Sequence, residues 1–168
     1  MALTVVLVRH GQAAAARPSQ TDMTRHLTPT GAKALAASYP RVLSMLDTGP
    51  ASHVVIWESP AVRAHETSAE IQRVIGERDV EVCDFLYEQD QAAFVEALLA
   101  HAKKHKNGTV ICVGHIPFME DMATYLCGSS LAFAPGAMAA IRMDRTSKRT
   151  FGKALPGTLL WFAQGPKA

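Results

Sequence analysis

The feature that most constrains the fold is an alternation of short apolar runs with longer segments of helical periodicity. The apolar runs are rich in β-branched residues, and the first of them is nearly continuous in apolar residues, as a strand buried on both faces should be. They predict strands over residues 3–8, 53–57, 80–85 and 109–113. Because helical segments separate these strands, the sequence predicts a parallel sheet with helices on its faces.

The predicted helices cover residues 29–46, 60–75, 91–106 and 117–126. Thr28 is the expected N-cap of the first helix, and Pro29 stands at its first position. The tail changes character, because residues 137–143 and 158–162 look like two strands joined by a turn-rich basic link. We therefore predict a three-layer α/β/α fold with a mostly parallel central sheet ending in an antiparallel hairpin. Residues 1–168 are expected to form a single domain.

Composition and charge exclude several classes of protein. With 48% hydrophobic and 19% charged residues, the chain has the composition of a folded globular protein. The formal net charge of +2 is too small to indicate a dedicated surface for nucleic acid or membrane. One basic cluster occurs, and we interpret it as the solvated end of a helix; it consists of His101, Lys103, Lys104, His105 and Lys106.

Cysteine usage and the terminal sequence give an expectation about the compartment. Cys83, Cys112 and Cys127 are widely spaced and contain no C-x-x-C pair, which argues against a zinc signature and favours a reducing environment. The N-terminal residues lack the pattern of a secretory signal, and no apolar run is long enough to span a bilayer. A cytoplasmic protein is therefore expected.

Strong polar chemistry follows three of the predicted strands. Arg9 and His10 come directly after the first strand, Arg63 comes shortly after the second, and His115 follows the strand over residues 109–113. The carboxyl ends of parallel strands share one edge of a sheet, where ligands bind in α/β proteins. Two arginines and two histidines should therefore meet there, and such a cluster of cations is electrostatically costly without an anion.

A phosphoryl group is the anion that this cluster fits best. Guanidinium groups bind two phosphate oxygens at a time, and the helix that begins near residue 60 adds its N-terminal amides to the same edge. The chain has no phosphate-binding loop of the G-x-x-x-x-G-K-S/T type, no G-x-G-x-x-G after the first strand and no Cys-x5-Arg loop. A histidine is then left as the nucleophile, and no metal or other cofactor is needed.

At this point the sequence resembles the histidine phosphatase superfamily, which includes the phosphoglycerate mutases. Four segments carry the resemblance in the family's order: L-V-R-H-G-Q at 7–12, L-T-P-T-G at 27–31, S-P-A-V-R-A-H-E-T at 59–67 and V-G-H-I-P at 113–117. The short chain and the R-H-L-T-P-T-G segment are similar to the SixA-like branch, which is known for phosphohistidine phosphatase activity. The resemblance implies that His10 is the phosphorylated nucleophile, that Arg9 and Arg63 bind the phosphoryl group, and that His115 completes the pocket.

The residue that protonates the leaving group is not marked by a decisive motif. Larger members of the superfamily carry an acidic segment for this purpose, and the corresponding residues 85–90 here offer Glu88 and Asp90 as candidate acids. Arg25 stands where the SixA-like branch has an arginine before L-T. The sequence alone does not indicate whether its side chain contacts a ligand. An imidazole leaves more readily than an alkoxide once it is protonated, so the lack of a marked acid favours hydrolysis of a P–N bond.

Three functions remain as alternatives at this stage. The first is removal of phosphate from phosphohistidine in a protein partner, such as a phosphotransfer domain or a phosphocarrier. The second is a phosphomonoesterase acting on a small phosphorylated metabolite, and the third is a noncatalytic phosphate-binding module of the same fold. The sequence does not indicate an oligomeric state or a pathway.

Overall fold

The computed structural model describes residues 2–105, 107–144 and 157–168. Within these ranges the strands are β1 (Ala2–Arg9), β2 (Val54–Glu58), β3 (Asp79–Val82), β4 (Gly108–Gly114), β5 (Met138–Asp144) and β6 (Thr158–Ala163). The α-helices are α1 (Pro29–Leu43), α2 (Val62–Ile75), α3 (Asp84–Glu88), α4 (Gln91–Lys104) and α5 (Phe118–Cys127), and Asp22–Thr24 forms a single turn of 3-10 helix.

The strands form one sheet in the order β3-β2-β4-β1-β5-β6. The first four of these strands are parallel, whereas β5 runs antiparallel to both β1 and β6. The predicted mostly parallel sheet with a terminal antiparallel hairpin is therefore confirmed. The predicted basic link between the two hairpin strands lies largely at residues 145–156, outside the described residues.

Helices cover both faces of the sheet. On one face, α1 and α2 pack apolar side chains against the sheet, including Leu35, Tyr39 and Ile71. On the other face, α3, α4 and α5 bury side chains such as Leu86 and Phe94. The central strands β1, β2 and β4 are covered on both faces, which explains their near-continuous apolar sequence and confirms the three-layer fold. Among the helices that the structure describes, none is long and apolar enough to cross a membrane.

The segment after β3 differs from the sequence-based prediction. A strand was expected over residues 80–85, but β3 ends at Val82, and the chain turns into the short helix α3 at Asp84. All four residues of β3 are exposed, because this strand lies at the edge of the sheet. The turn carries Leu86 into the core, where it is completely buried. Burial of that one side chain is a tertiary constraint that the local sequence pattern does not show.

A tight packing arrangement supports the backbone behind Arg9 and His10. The amide of Gly136 donates to the carbonyl oxygens of both residues at 3.0 Å, and Gly136 has a φ of 84°. A Cβ atom at this position would lie 2.6 Å from Leu35 Cδ2. Glycine is therefore required both by the backbone conformation and by the available space. The Tyr39 hydroxyl also donates to the carbonyl of Gly136, at 3.2 Å, which ties α1 to this turn.

The N-cap of α1 gives a test of local stability. Thr28 Oγ1 accepts a hydrogen bond from the amide of Gly31 at 2.9 Å and donates one to Gln12 Oε1 at 2.7 Å. We expect Thr28→Ala to lower the free energy of unfolding by about 1 kcal/mol, because an N-cap and its hydrogen bond are lost. Chemical denaturation measures this change. Thr30→Ala, at an exposed position of the same helical turn, is the matched control and should change the free energy by less than about 0.5 kcal/mol. Equal effects would contradict the assigned cap.

Candidate active site

The four side chains predicted to converge do lie together, at the carboxyl edge of the parallel strands. Arg9 is the last residue of β1 and His10 follows it, Arg63 lies in the first turn of α2, and His115 follows β4. They line one cavity, whose residues are Arg9, His10, Asp22, Arg25, Arg63, Tyr87, Gln89, His115 and Ile116. The cavity is therefore bordered by three guanidinium groups and two imidazoles, a suitable environment for an anion.

The hydrogen bonds of His10 determine which of its ring nitrogens can react. Nδ1 lies 2.7 Å from the carbonyl oxygen of Gly11, and a carbonyl can only accept, so Nδ1 carries the proton. Nε2 of the neutral ring is then unprotonated, and it accepts a hydrogen bond from Arg63 Nε at 3.2 Å. The free lone pair of Nε2 therefore faces the guanidinium groups of the cavity, where it can attack an electrophile that they hold.

Arg63 is the most connected side chain of the site, and only 5% of its surface is exposed. Besides its bond to His10, it donates from Nη2 to Asp22 Oδ2 at 2.9 Å and from Nη1 to the Asp22 carbonyl at 2.7 Å. Nη2 also lies 3.3 Å from His115 Nδ1. The guanidinium thus lies between the two imidazoles, and hydrogen bonds to His10, Asp22 and His115 fix its orientation.

His115 is oriented by a serine that follows β2. Because Arg63 can only donate, Nδ1 of His115 accepts from it, and Nε2 of the neutral ring carries the proton. This Nε2–H lies 2.7 Å from Ser59 Oγ, which also accepts from the amide of Ala61 at 3.2 Å. The ring centroids of His115 and His10 are 5.1 Å apart. Ser59 opens the S-P-A-V-R-A-H-E-T segment, and the structure gives it a specific role in holding His115.

Arg9 contributes a guanidinium with unused donor capacity. Its Nη1 donates to the carbonyl of Phe133 at 2.7 Å, and its Nε is buried with no hydrogen-bond partner among the described residues. Burial lowers the pKa of Arg9, and the negative charge of Glu120 acts in the opposite direction. Because Arg9 lines the cavity, the other N–H groups of its guanidinium can bind an incoming oxyanion.

Asp22 lines the cavity, although no sequence pattern pointed to it. Its Oδ1 accepts from Arg25 at 2.8 Å, and its Oδ2 accepts from Arg63 and from the Tyr87 hydroxyl, both at 2.9 Å. These hydrogen bonds hold the pKa of the Asp22 carboxyl well below its usual range, and the bond from Arg25 has the largest effect. Partial burial acts in the opposite direction. Asp22 therefore stays ionised and shares its guanidinium partners with any bound anion. Its position within a polar loop carried no periodic signal.

The loop that carries Asp22 is closed at its base. Ala13 and Leu27 form an isolated antiparallel bridge, and the amide of Ala14 donates to the carbonyl of His26 at 2.9 Å. Arg25 spans the loop by donating from Nε to the carbonyl of Ala14 at 2.8 Å. The sequence did not indicate whether Arg25 reaches a ligand site, and the structure shows that it lines the cavity.

The two candidate acids lie outside the lining of the cavity. Glu88 and Asp90 are exposed and are not among the described residues that line the cavity, whereas their neighbours Tyr87 and Gln89 are. The side chain of Asp90 accepts from the amide of Ala93 at 3.0 Å and so caps α4. Asp22 is the carboxylate that lines the cavity within the described chain, and it is ionised rather than protonated.

Burial and positive charge keep both imidazoles neutral. Burial lowers the pKa of His10 to about 3, and the nearby charges of His115, Arg63 and Arg9 act in the same direction, against the carbonyl of Gly11. Burial also lowers the pKa of His115 to about 4. The positive charge of Arg63 contributes to this lowering, whereas the negative charge of Asp22 opposes it. Both rings are therefore neutral at neutral pH, with one N–H each.

Comparison with protein families accounts for this geometry. Residues 5–96, more than half of the chain, match the model of the histidine phosphatase superfamily, branch 1. The chain belongs to the histidine phosphatase superfamily. The matched range contains Arg9, His10 and Arg63. No significant match was found among curated proteins.

Solved structures of other histidine phosphatases are similar along almost the whole chain. The protein histidine phosphatase SixA complexed with tungstate is 22% identical, with a TM-score of 0.76 over 96% of this chain and 96% of its own. A candidate phosphohistidine phosphatase SixA from Nakamurella multipartitia is 27% identical, with a TM-score of 0.72 over 100% of this chain and 98% of its own. A mycobacterial glucosyl-3-phosphoglycerate phosphatase is 13% identical, with a TM-score of 0.64 over 99% of this chain and 100% of its own. These likenesses support the fold and, with the family, a phosphatase activity.

The lowered pKa values predict a loss of stability in acid. As the pH falls from about 6.5 to about 4, the unfolded chain binds protons at His10 and His115 that the folded histidine phosphatase does not bind. The free energy of unfolding should fall by up to about 1.4 kcal/mol per pH unit for each of the two groups. His10→Asn should therefore reduce this slope by about 1.4 kcal/mol per unit, as measured by urea denaturation at each pH. An unchanged slope would show that His10 is protonated in the folded state.

The shared guanidinium groups predict that Asp22 weakens anion binding. Replacing its carboxylate by an amide in Asp22→Asn removes a negative charge beside the cavity and frees donors of Arg25 and Arg63. We expect tungstate to bind about fivefold more tightly, equivalent to ~1 kcal/mol for a partly solvated charge. Isothermal titration calorimetry measures this affinity. Asp79→Asn, at the far end of β3, is the control and should leave it unchanged. Weaker binding to Asp22→Asn would show that its carboxylate is needed to hold the guanidinium groups in place.

Proposed function

We propose that this protein is a phosphatase that removes the phosphoryl group from phosphohistidine in a protein, through a phosphohistidine intermediate on His10. One observation carries the proposal. The Nδ1–H of His10 is fixed by the carbonyl of Gly11, so the neutral Nε2 faces a cavity bordered by Arg9 and Arg63. This is the arrangement that nucleophilic attack on a phosphoryl group requires.

The first step transfers the phosphoryl group from the substrate imidazole to His10. The phosphoryl oxygens bind to Arg9 and Arg63, and the bond from Arg63 Nε to His10 Nε2 gives way as that donor turns to an oxygen. The freed lone pair of Nε2 forms a bond to phosphorus while the P–N bond of the substrate breaks. Fixed guanidinium charges stabilise the equatorial oxygens as charge moves between the attacking and leaving nitrogens.

The leaving group is the reason for favouring a phosphohistidine substrate. The substrate imidazole takes up a proton from solvent on its other ring nitrogen and then departs as a neutral ring. It leaves far more readily than an alkoxide does, so it makes less demand on an enzymatic acid. Asp22 is the carboxylate at the cavity within the described chain, and its hydrogen bonds to Arg25, Arg63 and Tyr87 keep it ionised. A site with this charge state suits P–N cleavage better than cleavage of a phosphate ester.

In the second step a water molecule attacks the phosphoryl group on His10. The water oxygen forms a bond to phosphorus while the bond between His10 Nε2 and phosphorus breaks. One proton of the water passes to a phosphoryl oxygen, so dihydrogen phosphate leaves and His10 returns to its neutral form with the proton on Nδ1. His115 remains against Arg63 throughout and is held by Ser59 on its other side. We propose that His115 completes the pocket that binds the phosphoryl group. In the free enzyme its ring proton is on Nε2.

The experiment compares substrates and traps the intermediate. A phosphotransfer domain labelled with ³²P on its histidine is offered to the enzyme, in parallel with a panel of sugar and nucleotide phosphates. We expect the phosphohistidine protein to be turned over faster, with acid-labile label appearing on His10 in a rapid quench. His10→Asn should lose at least about 10³-fold in rate and carry no label. His26→Gln, an exposed histidine in the loop beside the cavity, is the matched control and should retain activity and label.

Each other outcome identifies a different function. Faster turnover of a small phosphate ester, with label still on His10, would keep the mechanism and establish a metabolite phosphomonoesterase instead. Absence of label and of turnover with every substrate, while tungstate still binds, would indicate a noncatalytic phosphate-binding module. Wild-type turnover by His10→Asn would show that another group is the nucleophile.

A further inference from the structure

A second group of histidines lies at the opposite edge of the sheet. His53 immediately precedes β2, and its carbonyl accepts from the amide of Thr109, near the amino end of β4, at 2.9 Å. His101 lies in the last turn of α4, and His105 is the C-cap of that helix. The proposed active site follows the carboxyl ends of the same strands. The three histidines, which we call the histidine cluster, are therefore separate from the phosphoryl pocket.

The rings of the histidine cluster are in direct contact. The ring centroids of His53 and His105 are 3.8 Å apart, and those of His101 and His105 are 4.5 Å apart. One ring nitrogen from each residue lies within 4.8 Å of those of the other two. All three side chains are partly buried. The histidines that the sequence analysis assigned to a solvated helix end therefore face one another instead.

The spacing of the nitrogens fits a transition-metal ion. For three atoms within 4.8 Å of one another, a common point lies at most about 2.8 Å from each. A metal–nitrogen distance of about 2.0–2.1 Å then requires displacements of only about 0.7 Å, which small side-chain rotations supply. Three imidazole nitrogens with an open fourth position are a donor set that suits Zn²⁺, Cu²⁺ and Ni²⁺.

The surrounding structure holds these donors in position. The four-residue spacing of His101 and His105 puts both on one face at the end of α4, while the intervening Lys103 and Lys104 are exposed. The ring of His101 packs edge-on against Trp57 with 5.6 Å between the centroids. Nε2 of His53 is buried with no hydrogen-bond partner among the described residues. A buried nitrogen without a partner is costly, and a bound metal would satisfy it.

We propose that His53, His101 and His105 form a transition-metal site that links the end of α4 to the amino end of β2. Zn²⁺ is the ion that the three nitrogen donors fit best, because it is bound tetrahedrally by imidazole without any redox chemistry. The site does not take part in phosphoryl transfer. Its effect is on stability, because an ion that binds the folded chain joins two elements that are distant in sequence.

The binding test uses Co²⁺ as a spectroscopic probe for the Zn²⁺ site. Tungstate is kept at saturation so that His10 and His115 are occupied. We expect one Co²⁺ per chain, with the visible absorption of a tetrahedral complex, and its displacement by Zn²⁺. His101→Gln and His105→Gln should each weaken the affinity at least about tenfold, because loss of a ligand costs no less than loss of an outer-shell partner. His26→Gln is the matched control and should bind as the wild type does.

Two further readouts need no variant. Zn²⁺ at about a hundredfold excess over its dissociation constant should raise the Tm by roughly 5–10 °C. In NMR spectra, Zn²⁺ should shift the ring signals of the histidine cluster and leave those of His10 and His115 in place. Binding that survives in both His101→Gln and His105→Gln, shifts confined to other histidines, or no binding below millimolar Zn²⁺ would each overturn the proposal.

Discussion

The active-site edge depends on the parallel pairing of β1 with β4, which stays in register to the last residue of both strands. Arg9 is paired with Gly114, and the amide of His10 donates to the carbonyl of Gly114 at 3.0 Å. The chain is therefore held to the sheet up to the proposed nucleophile itself. The next residue after Gly114 is His115, so this hydrogen bond helps to fix the backbone positions from which both imidazoles project. A site on regular strands keeps its geometry better than one on loops.

The electrostatics of the pocket serve two needs through one set of charges. Burial and the guanidinium groups lower the pKa of both imidazoles, which leaves His10 able to act as a nucleophile. The same guanidinium groups attract a phosphoryl group. Asp22 offsets part of this positive charge through its bonds to Arg25 and Arg63, which limits the electrostatic cost of the empty pocket.

The sequence was most informative where periodicity and strand order apply. Strand ends place Arg9, His10, Arg63 and His115 at one edge whatever the details of packing, so their convergence could be predicted. Loop residues obey no such rule, and Asp22 could not be selected. At the end of α3, the cavity is lined by Tyr87 and by the C-cap residue Gln89 but not by Glu88, because the local backbone geometry decides which of these neighbours faces the cavity. Contacts between distant segments, such as those of the histidine cluster, also lie beyond what local patterns reveal.

The bridge between Ala13 and Leu27 separates the rim of the pocket from its floor. Arg25 and Asp22 belong to a loop whose two ends are already joined below them, whereas His10 and Arg63 belong to the sheet edge and to α2. The exposed residues 15–19 of this loop can be exchanged, inserted or deleted at little cost to the rest of the fold. The range of molecules that can approach the pocket can thus diverge in evolution while the side chains at its floor remain unchanged.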